Sequence, residues 1–194
     1  GRYDFWDYLD DDIVSRYPIR LRVALEVEDG IVHLDVTGTD PETRSAYNVA
    51  TFGRLHEWFT LRFLSFICTH DPTIVLNAGM FRPFSITNPE GTVMNAQFPA
   101  AVGLRSNPSR RFNDALTGAL LEAVPELMAA PTPGTQLIFV LSEYEADGVG
   151  RTVTVLQPLS GGMGAYQGRD GVDARDATMS NMANNSIEFV EAEC

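Results

Sequence analysis

Residues 19–38 contain the pattern that most limits how this chain can fold, because it specifies a β-hairpin together with its register. From Ile19 to Val27, apolar residues alternate with polar or small ones, which is typical of a strand with one buried face. Asp29-Gly30 follows, and this dipeptide favours the two-residue turns that join antiparallel strands. With that turn, Glu26 faces His33, and the opposite face carries three apolar pairs: Val27 with Val32, Leu25 with Leu34 and Val23 with Val36.

The remaining elements complete a mixed architecture. Two longer helices are predicted where apolar residues recur at steps of three and four, over residues 51–69 and 110–124. Shorter strands are predicted at residues 84–87, 136–142, 152–156 and 187–190, with a turn at 146–148. The predicted class is α+β: antiparallel hairpins and a mixed sheet packed with two main helices, in a single lobe over residues 1–194.

Charge and cysteine content exclude several classes of protein. The chain of 194 residues carries a formal net charge of −12, so its surface repels phosphate backbones and no nucleic-acid partner is expected. No apolar run approaches the roughly 20 residues that span a bilayer, so no membrane association is expected. Cys68 lies in an apolar run and is predicted to be buried and inert. Since Cys68 and Cys194 form no paired framework, a reducing, cytoplasmic location is expected.

Residues 1–17 combine aromatic and acidic side chains. A free tail has no use for four aromatic residues, so this stretch is predicted to be an ordered arm that docks on another surface. The aspartates Asp10, Asp11 and Asp12 lack the ligand spacing of a calcium loop, and they are predicted to form a solvated turn. The aromatic residues of the arm are Tyr3, Phe5, Trp6 and Tyr8.

A glycine-rich stretch at residues 160–171 ends in a charged pair, Arg169-Asp170. Glycines gather where the backbone turns sharply or approaches another group closely, so the stretch is either an anion-binding loop or a tight structural turn. It lacks the patterns of nucleotide-binding loops. Arg169-Asp170 either binds a carboxylate or phosphate through a bidentate contact, or forms an internal salt bridge. Arg82, with Asn77 nearby, presents the same choice.

Structural roles are predicted for the histidines and for one group of arginines. His33, His56 and His70 show no metal-ligand spacing. His33 is placed on the hairpin, His56 within the first helix and His70 at its C-terminus, where a cation is favoured. Helix capping and surface pairing account for Arg105, Arg110 and Arg111.

Several segments, taken together and in order, resemble the hydantoinase B/oxoprolinase B family. They extend over essentially the whole chain: Tyr8-Leu9-Asp10-Asp11-Asp12, Pro18-Ile19-Arg20, Asn77-Ala78-Gly79-Met80-Phe81-Arg82-Pro83, Pro89-Glu90-Gly91, Gly161-Gly162-Met163-Gly164-Ala165, Gly168-Arg169-Asp170-Gly171, and Met179-Ser180-Asn181 followed by Asn184 and Glu188. Many members carry His-Thr-His where this chain has Asp176, Ala177 and Thr178.

The resemblance implies one part of a multisubunit, cytoplasmic enzyme. In such enzymes an A-type partner binds ATP with Mg²⁺ and phosphorylates the substrate or bicarbonate, and the B-type subunit handles the activated intermediate. B-type subunits are much longer than this chain, and their metal-binding His and Asp residues lie upstream of the part that it matches. The chain is therefore expected to be either a middle-to-C-terminal portion of a B-type subunit or one half of a split B-type subunit. It is expected to belong to a hetero-oligomer with the A-type subunit and to hold no metal or cofactor itself.

By resemblance, the expected reaction is the ATP-dependent opening of a cyclic amide or imide, as in hydantoinases, 5-oxoprolinases and lactamases. The alternatives are ATP-dependent carboxylation of a ketone, as in acetone and acetophenone carboxylases, and a non-catalytic assembly piece. The sequence assigns no catalytic residue and does not decide which ring or ketone is used. Seven residues are expected to bind the small-molecule substrate or shape its cavity: Asn77, Arg82, Gly162, Gly164, Arg169, Asp170 and Asn181.

Overall fold

The computed structural model describes residues 1–12, 14–134, 136–145, 148, 150–176 and 183–193. A four-stranded sheet contains β1 (Arg2–Leu9), β2 (Ile19–Glu28), β3 (Ile31–Asp35) and β4 (Phe84–Thr87), in that order. A separate antiparallel pair consists of β5 (Gln136–Tyr144) and β6 (Arg151–Ser160). The α-helices are α1 (Glu57–His70), α2 (Ser106–Ala123) and the short α3 (Ile187–Glu193), and 3-10 helices lie at Ala78–Phe81 and Pro125–Leu127. The predicted α+β class is confirmed.

The hairpin of β2 and β3 has the predicted register. Asp29 and Gly30 have φ values of 48° and 77°, the left-handed backbone that a primed turn requires. The ladder ends at Ala24–Asp35, one pair short of the predicted contact between Val23 and Val36. Since β4 runs parallel to β3, the sheet is mixed. The confirmed pairs are Val27–Val32, Leu25–Leu34 and Glu26–His33.

Residues 2–9 of the predicted arm form β1, an edge strand of the sheet. β1 pairs antiparallel with β2 along its whole length, from Arg2–Glu26 to Leu9–Ile19. Leu9 is buried, whereas Trp6 and Tyr8 remain 53% and 44% exposed. This stretch therefore packs on its own sheet, and its docking on another subunit stays a prediction.

The acidic run at residues 10–12 is not fully solvated, contrary to the prediction. Asp12 is 2% exposed, and its carboxylate accepts hydrogen bonds from the Ser15 hydroxyl at 2.6 Å and the Val14 N–H at 3.0 Å. These bonds, those from Ser15 first, hold the pKa of Asp12 below its ordinary value. Asp12 thus holds Val14 and Ser15 through its carboxylate, a role that a run of three identical residues does not single out.

The main core lies between the four-stranded sheet and the two long helices. Leu25 and Leu34 from the sheet are fully buried together with Phe59 of α1 and Phe112 of α2. The two phenylalanine rings meet edge to face, with their centroids 4.9 Å apart. This arrangement adds to the stabilisation that burial of the rings supplies. The contact between the two rings therefore stabilises the packing of α1 against α2.

The two long helices begin and pack differently from the predictions, for local reasons. α1 begins at Glu57 rather than at residue 51, because Phe52 and Gly53 have positive φ values of 54° and 65° that belong to a turn. α2 begins at Ser106, ahead of the predicted start. Cys68 is half-buried rather than buried, because the C-terminal half of α1 is only partly covered. Of the helices in the described residues, none combines the length and the apolar run that crossing a bilayer takes.

Residues 187–190, predicted to be a strand, lie in α3. The Phe189 N–H donates to the Ser186 carbonyl at 3.1 Å and to the Ser186 hydroxyl at 3.3 Å. A serine three residues before such a donor caps a helix N-terminus, and this local signal outweighs the β-propensity of the apolar residues that follow. The strands predicted at 84–87, 136–142 and 152–156 are present, whereas residues 146 and 147 of the predicted turn lie outside the described residues.

The β5–β6 pair carries exposed apolar side chains on both of its faces. Leu137, Ile138, Phe139, Val140 and Leu141 are each between 47% and 64% exposed. Because successive side chains of a strand point to opposite faces, neither face is covered by the part of the chain that the structure describes. A two-stranded sheet is at best marginally stable alone in water. We therefore expect another protein surface to pack against this pair.

Candidate functional site

Residues 161–176, here named the glycine-rich loop, fold back on themselves as a narrow hairpin. Met163 and Val172 exchange backbone hydrogen bonds of 2.7 and 3.2 Å, and Tyr166 and Arg169 exchange a second pair of 3.0 and 3.1 Å at the tip. The N–H groups of these four residues are thereby used within the loop. The observed geometry favours the tight-turn alternative over an anion nest for this part of the backbone.

Gly162 and Gly164 allow the glycine-rich loop to pack closely. A Cβ on Gly164 would lie 2.2 Å from the carbonyl oxygen of Ala130, and one on Gly162 would lie 3.2 Å from that of Val172. Beside Gly164, the Ala130 N–H donates to the Ala165 carbonyl at 2.9 Å. Gly164 therefore lets the loop pack against the segment that follows α2, and Gly162 lets the two sides of the loop approach each other.

Arg169 and Asp170 lie near the tip of the glycine-rich loop with exposed side chains. Within the described ranges, neither side chain takes part in an ion pair. The internal salt bridge that the sequence left open is thus not observed there. An exposed guanidinium next to an exposed carboxylate remains able to meet a ligand.

Asn77 and Arg82 stand at the two ends of the 3-10 helix Ala78–Phe81. The Asn77 side chain caps this helix, because its amide oxygen Oδ1 accepts a hydrogen bond from the Gly79 N–H at 2.8 Å. Oδ1 therefore already has a partner. Arg82 is exposed and follows the helix directly. No hydrogen bond or ion pair of the described residues joins this segment to the glycine-rich loop. The seven expected residues thus fall into two separate sets: Asn77 and Arg82 at this helix, and four residues in the glycine-rich loop. Asn181 lies outside the described residues.

Arg110 and Asp176 form a buried ion pair that the sequence analysis missed. Arg110 is 5% and Asp176 is 4% exposed, and their side chains form a salt bridge between α2 and the end of the glycine-rich loop. The surface pairing predicted for Arg110 is therefore wrong: this arginine lies in the interior, where it pins the loop.

A second buried arginine lies between α1, α2 and the loop. Arg62 of α1 donates from Nε to Thr117 Oγ1 of α2 at 3.0 Å, and it lines a cavity of about 30 Å³ together with Tyr166 of the glycine-rich loop. Burial lowers the pKa of Arg62, and Tyr166 and Asp114 act against that shift. The tip of the loop is thus placed beside the face of α1 that carries Arg62.

Asp114 of α2 is a buried carboxyl with a strongly raised pKa. It is 1% exposed, and burial raises the pKa of its carboxyl from 3.8 to about 7, against the attraction of Arg111. The Arg111 guanidinium lies 3.0 Å from Asp7 but 4.0 Å from Asp114. Oδ2 of Asp114 has no hydrogen-bond partner among the described residues. This carboxyl is buried under Gly134, whose added Cβ would lie 2.5 Å from Oδ2, so it belongs to the scaffold and not to an open cleft.

The histidines occupy separate places in the fold. His33 lies on β3, with Nδ1 2.8 Å from Ser85 Oγ and Nε2 3.0 Å from Thr87 Oγ1. His70 is at the C-terminal end of α1, as predicted, whereas His56 precedes α1 and caps it. In the described ranges, no three His, Cys, Asp or Glu side chains come together as a metal site. The expectation that the metal is held upstream of this portion stays a prediction.

The chain is similar to known proteins along its whole length. The family model described as hydantoinase B/oxoprolinase matches residues 1–194. A putative D-/L-hydantoinase B-type subunit from Pseudomonas sp. (strain NS671) is 29% identical over an alignment of 188 residues, which covers 95% of this chain and 31% of that relative. A 5-oxoprolinase from Pestalotiopsis fici is 27% identical over an alignment of 193 residues, which covers 95% of this chain and 14% of that relative.

Two solved structures share the fold. The ATP-dependent caprolactamase from Pseudomonas jessenii aligns with 100% of this chain and 33% of its own chain, with a TM-score of 0.76 at 21% identity. Nucleotide-free acetone carboxylase aligns with 99% of this chain and 27% of its own, with a TM-score of 0.71 at 14% identity. The chain thus spans about a third or less of the length of these relatives. With the family model matched from the first residue to the last, the chain belongs to the hydantoinase B/oxoprolinase family.

Proposed function

We propose that this chain is part of the B-type subunit of an ATP-dependent enzyme that opens cyclic amides or imides. The observation that carries the proposal is the 29% identity to a putative hydantoinase B-type subunit, which extends over 95% of this chain. The fold shared with an ATP-dependent caprolactamase is in keeping with that chemistry. The likeness to acetone carboxylase, at 14% identity, supports the fold and leaves ketone carboxylation as the alternative to be tested.

In this proposal the chain supplies walls of the substrate cavity. Arg169 carries an exposed guanidinium on a loop whose glycines hold it against the segment after α2, a placement suited to a phosphate or carboxylate of the activated intermediate. Asp170 offers a hydrogen-bond acceptor beside Arg169.

The other proposed contacts come from separate positions. Arg82 offers a second guanidinium at the end of the helix that Asn77 caps. Gly162 and Gly164 give the loop its shape, and the Asn181 amide is proposed to contact the substrate.

The cofactors are proposed to lie on other parts of the enzyme. ATP with Mg²⁺ would bind to the A-type partner, which phosphorylates the substrate. A divalent metal would be held by the upstream part of the B-type subunit, where it supplies an activated water. Because the described residues of this chain contain no three-ligand cluster, no step is assigned to a metal held here.

Contacts with partner subunits are part of the proposal. The apolar residues exposed on both faces of β5–β6 form the kind of surface that permanent interfaces bury. The partners would be the A-type subunit and the remainder of the B-type subunit, in a cytoplasmic hetero-oligomer. The net charge of −12 disfavours nucleic acid as a partner.

An assay of the complete complex tests the proposal. Ring opening of a hydantoin or a lactam is followed together with ADP release, and a ketone with bicarbonate is offered in parallel. The proposal predicts ring opening that stops when ATP is omitted. Turnover of the ketone alone would contradict it in favour of carboxylation, and a complex as active without this chain as with it would leave the chain an assembly piece.

A further inference from the structure

A cavity of about 590 Å³ lies between the first turn of α1 and the 3-10 helix Ala78–Phe81. Leu55, Ala78 and Phe81 form its apolar walls, and His56 and Glu57 are the polar residues that line it. This volume is within the range of small-molecule sites, which combine apolar walls with a few polar groups. The cavity is wide and open to solvent, and its volume exceeds that of a small ring with a substituent.

His56 is held in a defined orientation at this cavity. Its Nδ1 accepts the Trp58 N–H at 3.2 Å, and its ring meets that of Trp58 with 5.2 Å between centroids and an angle of 64°. When Nδ1 accepts a hydrogen bond, the proton of the neutral imidazole lies on Nε2. His56, which lines the cavity, thus carries its N–H donor on Nε2.

Glu57 provides the complementary acceptor. Its side chain is exposed, and it makes no ion pair in the part of the chain that the structure describes. A donor from His56 and an acceptor from Glu57 thus stand on consecutive residues of one cavity wall. A cyclic amide presents the matching pair, since its carbonyl oxygen and its N–H lie on the same side of a planar group, with an apolar ring behind them.

We propose that this cavity binds the ring of a cyclic amide or imide, with the His56 Nε2–H donating to the ring carbonyl and the Glu57 carboxylate accepting the ring N–H. Leu55, Ala78 and Phe81 contact the apolar part of the ring. The proposal rests on the proposed function for the chemical class of the ring. It adds a binding site that lies directly beside the segment from Asn77 to Arg82.

The test of the donor measures binding without turnover. Calorimetry on the assembled complex without ATP gives the Kd of a lactam for the wild type and for His56→Asn. Asparagine is among the preferred residues for capping a helix, so this variant keeps the cap and removes the Nε2–H. We expect the Kd to rise about fivefold to tenfold, as for loss of one hydrogen bond, while the control His70→Asn at the far end of α1 leaves it unchanged. An unchanged Kd for His56→Asn would overturn the proposal.

Two further variants test the acceptor and the walls. The wild type is expected to bind a lactam about tenfold more tightly than the lactone of the same ring size, which lacks the N–H. Glu57→Ala should remove this preference, and Ala78→Leu should raise the Kd by obstructing the apolar wall of the cavity without touching either polar group. A preference that survives in Glu57→Ala, or lactam binding unaffected by Ala78→Leu, would overturn the proposal.

The two proposals fail in different experiments. If the complex opens rings with ATP but His56→Asn and Ala78→Leu leave both Kd and KM unchanged, the cavity is not the ring site and the proposed function stands. If the complex opens no ring but binds a lactam in a His56-dependent way, the binding site stands and the proposed reaction does not.

Discussion

Asp114 places a carboxyl in the interior of the fold, where 1% of the residue is exposed. Arg111 lies closer to Asp7 than to Asp114. Its charge therefore offsets only part of the free-energy cost of removing the Asp114 carboxylate from water. Burial raises the pKa of Asp114 to about 7. Sequence periodicity could not reveal this group, because the apolar positions of α2 predict which face is buried but not that a polar residue is buried with it.

We expect Asp114 to make the stability of the fold depend on pH. The unfolded chain releases this proton near pH 3.8, whereas the folded chain keeps it up to about pH 7. The folded state therefore binds more protons in that window, and the free energy of unfolding falls as the pH rises from about 4 to 7, by a few kcal/mol at about 1.4 kcal/mol per pKa unit. Asp114→Asn should remove this slope in urea unfolding measured across the same range.

A matched variant separates this effect from the other acidic residues. Asp173 is exposed in the glycine-rich loop, so Asp173→Asn should leave the slope as it is in the wild type. A slope that persists in Asp114→Asn would show that the buried carboxyl is not its source.

Gly164 is a second position where one atom decides the local structure. Because an added Cβ would lie 2.2 Å from the Ala130 carbonyl oxygen, Gly164→Ala should separate the glycine-rich loop from that segment and lower the free energy of unfolding by about 2 kcal/mol. Urea unfolding measures the loss, and faster proteolysis within residues 161–176 locates it.

Gly103→Ala is the control for this substitution. Its added Cβ would lie 3.7 Å from the Ala46 Cβ, an ordinary contact, and the expected change is within about 0.5 kcal/mol. Equal effects of the two substitutions would contradict the packing role given to Gly164.

At the scale of elements, a prediction from sequence is accurate when its signal lies in neighbouring residues. The register of β2 and β3 was predictable because the alternation and the Asp29-Gly30 turn agree. α3 was mispredicted because its apolar residues favour a strand, whereas Ser186 caps a helix there. The salt bridge between Arg110 and Asp176 could not be predicted at all, since its partners are 66 positions apart.

That salt bridge should be the main polar tie between α2 and the glycine-rich loop. Asp176→Asn removes the carboxylate that pairs with the buried Arg110 guanidinium, and we expect a loss of about 3 kcal/mol in the free energy of unfolding. The double variant Arg110→Met/Asp176→Leu removes both charges and should recover most of that loss. A double-mutant cycle from urea unfolding checks this. Additive losses would contradict a direct coupling between the two side chains.

The β5–β6 pair should matter for assembly more than for the stability of this chain. Phe139→Ser and Val140→Ser remove apolar groups from opposite faces that are 47% and 58% exposed, so each should lower the free energy of unfolding by only about 1 kcal/mol. Both should weaken co-purification with the other subunits. Val14→Ser, at a residue 59% exposed elsewhere, is the control. Undiminished co-purification would show that β5–β6 is not an interface.

At the scale of the whole molecule, the family was predictable and the complete machinery was not. The motifs near Asn77 and Gly164 are spread over the chain, and the family model matches residues 1–194. Their physical roles required the structure: Asn77 caps a 3-10 helix, and Gly164 permits close packing. Since the chain covers 31% of the hydantoinase relative that it resembles, the phosphorylating and metal-binding groups belong to other parts of the assembly in our account.

The most direct test of this account is the kcat/KM for ATP-dependent ring opening by the complete complex carrying Arg169→Ala. Arg2→Ala is the control, because Arg2 pairs with Glu26 at the edge of the sheet and exposed pairs contribute little to stability. We predict that Arg169→Ala lowers kcat/KM at least about tenfold, as for loss of a charged hydrogen bond, with unfolding unchanged, while Arg2→Ala leaves both as they are. A complex with Arg169→Ala that opens rings as fast as the wild type, or rings opened equally well without ATP, would contradict it.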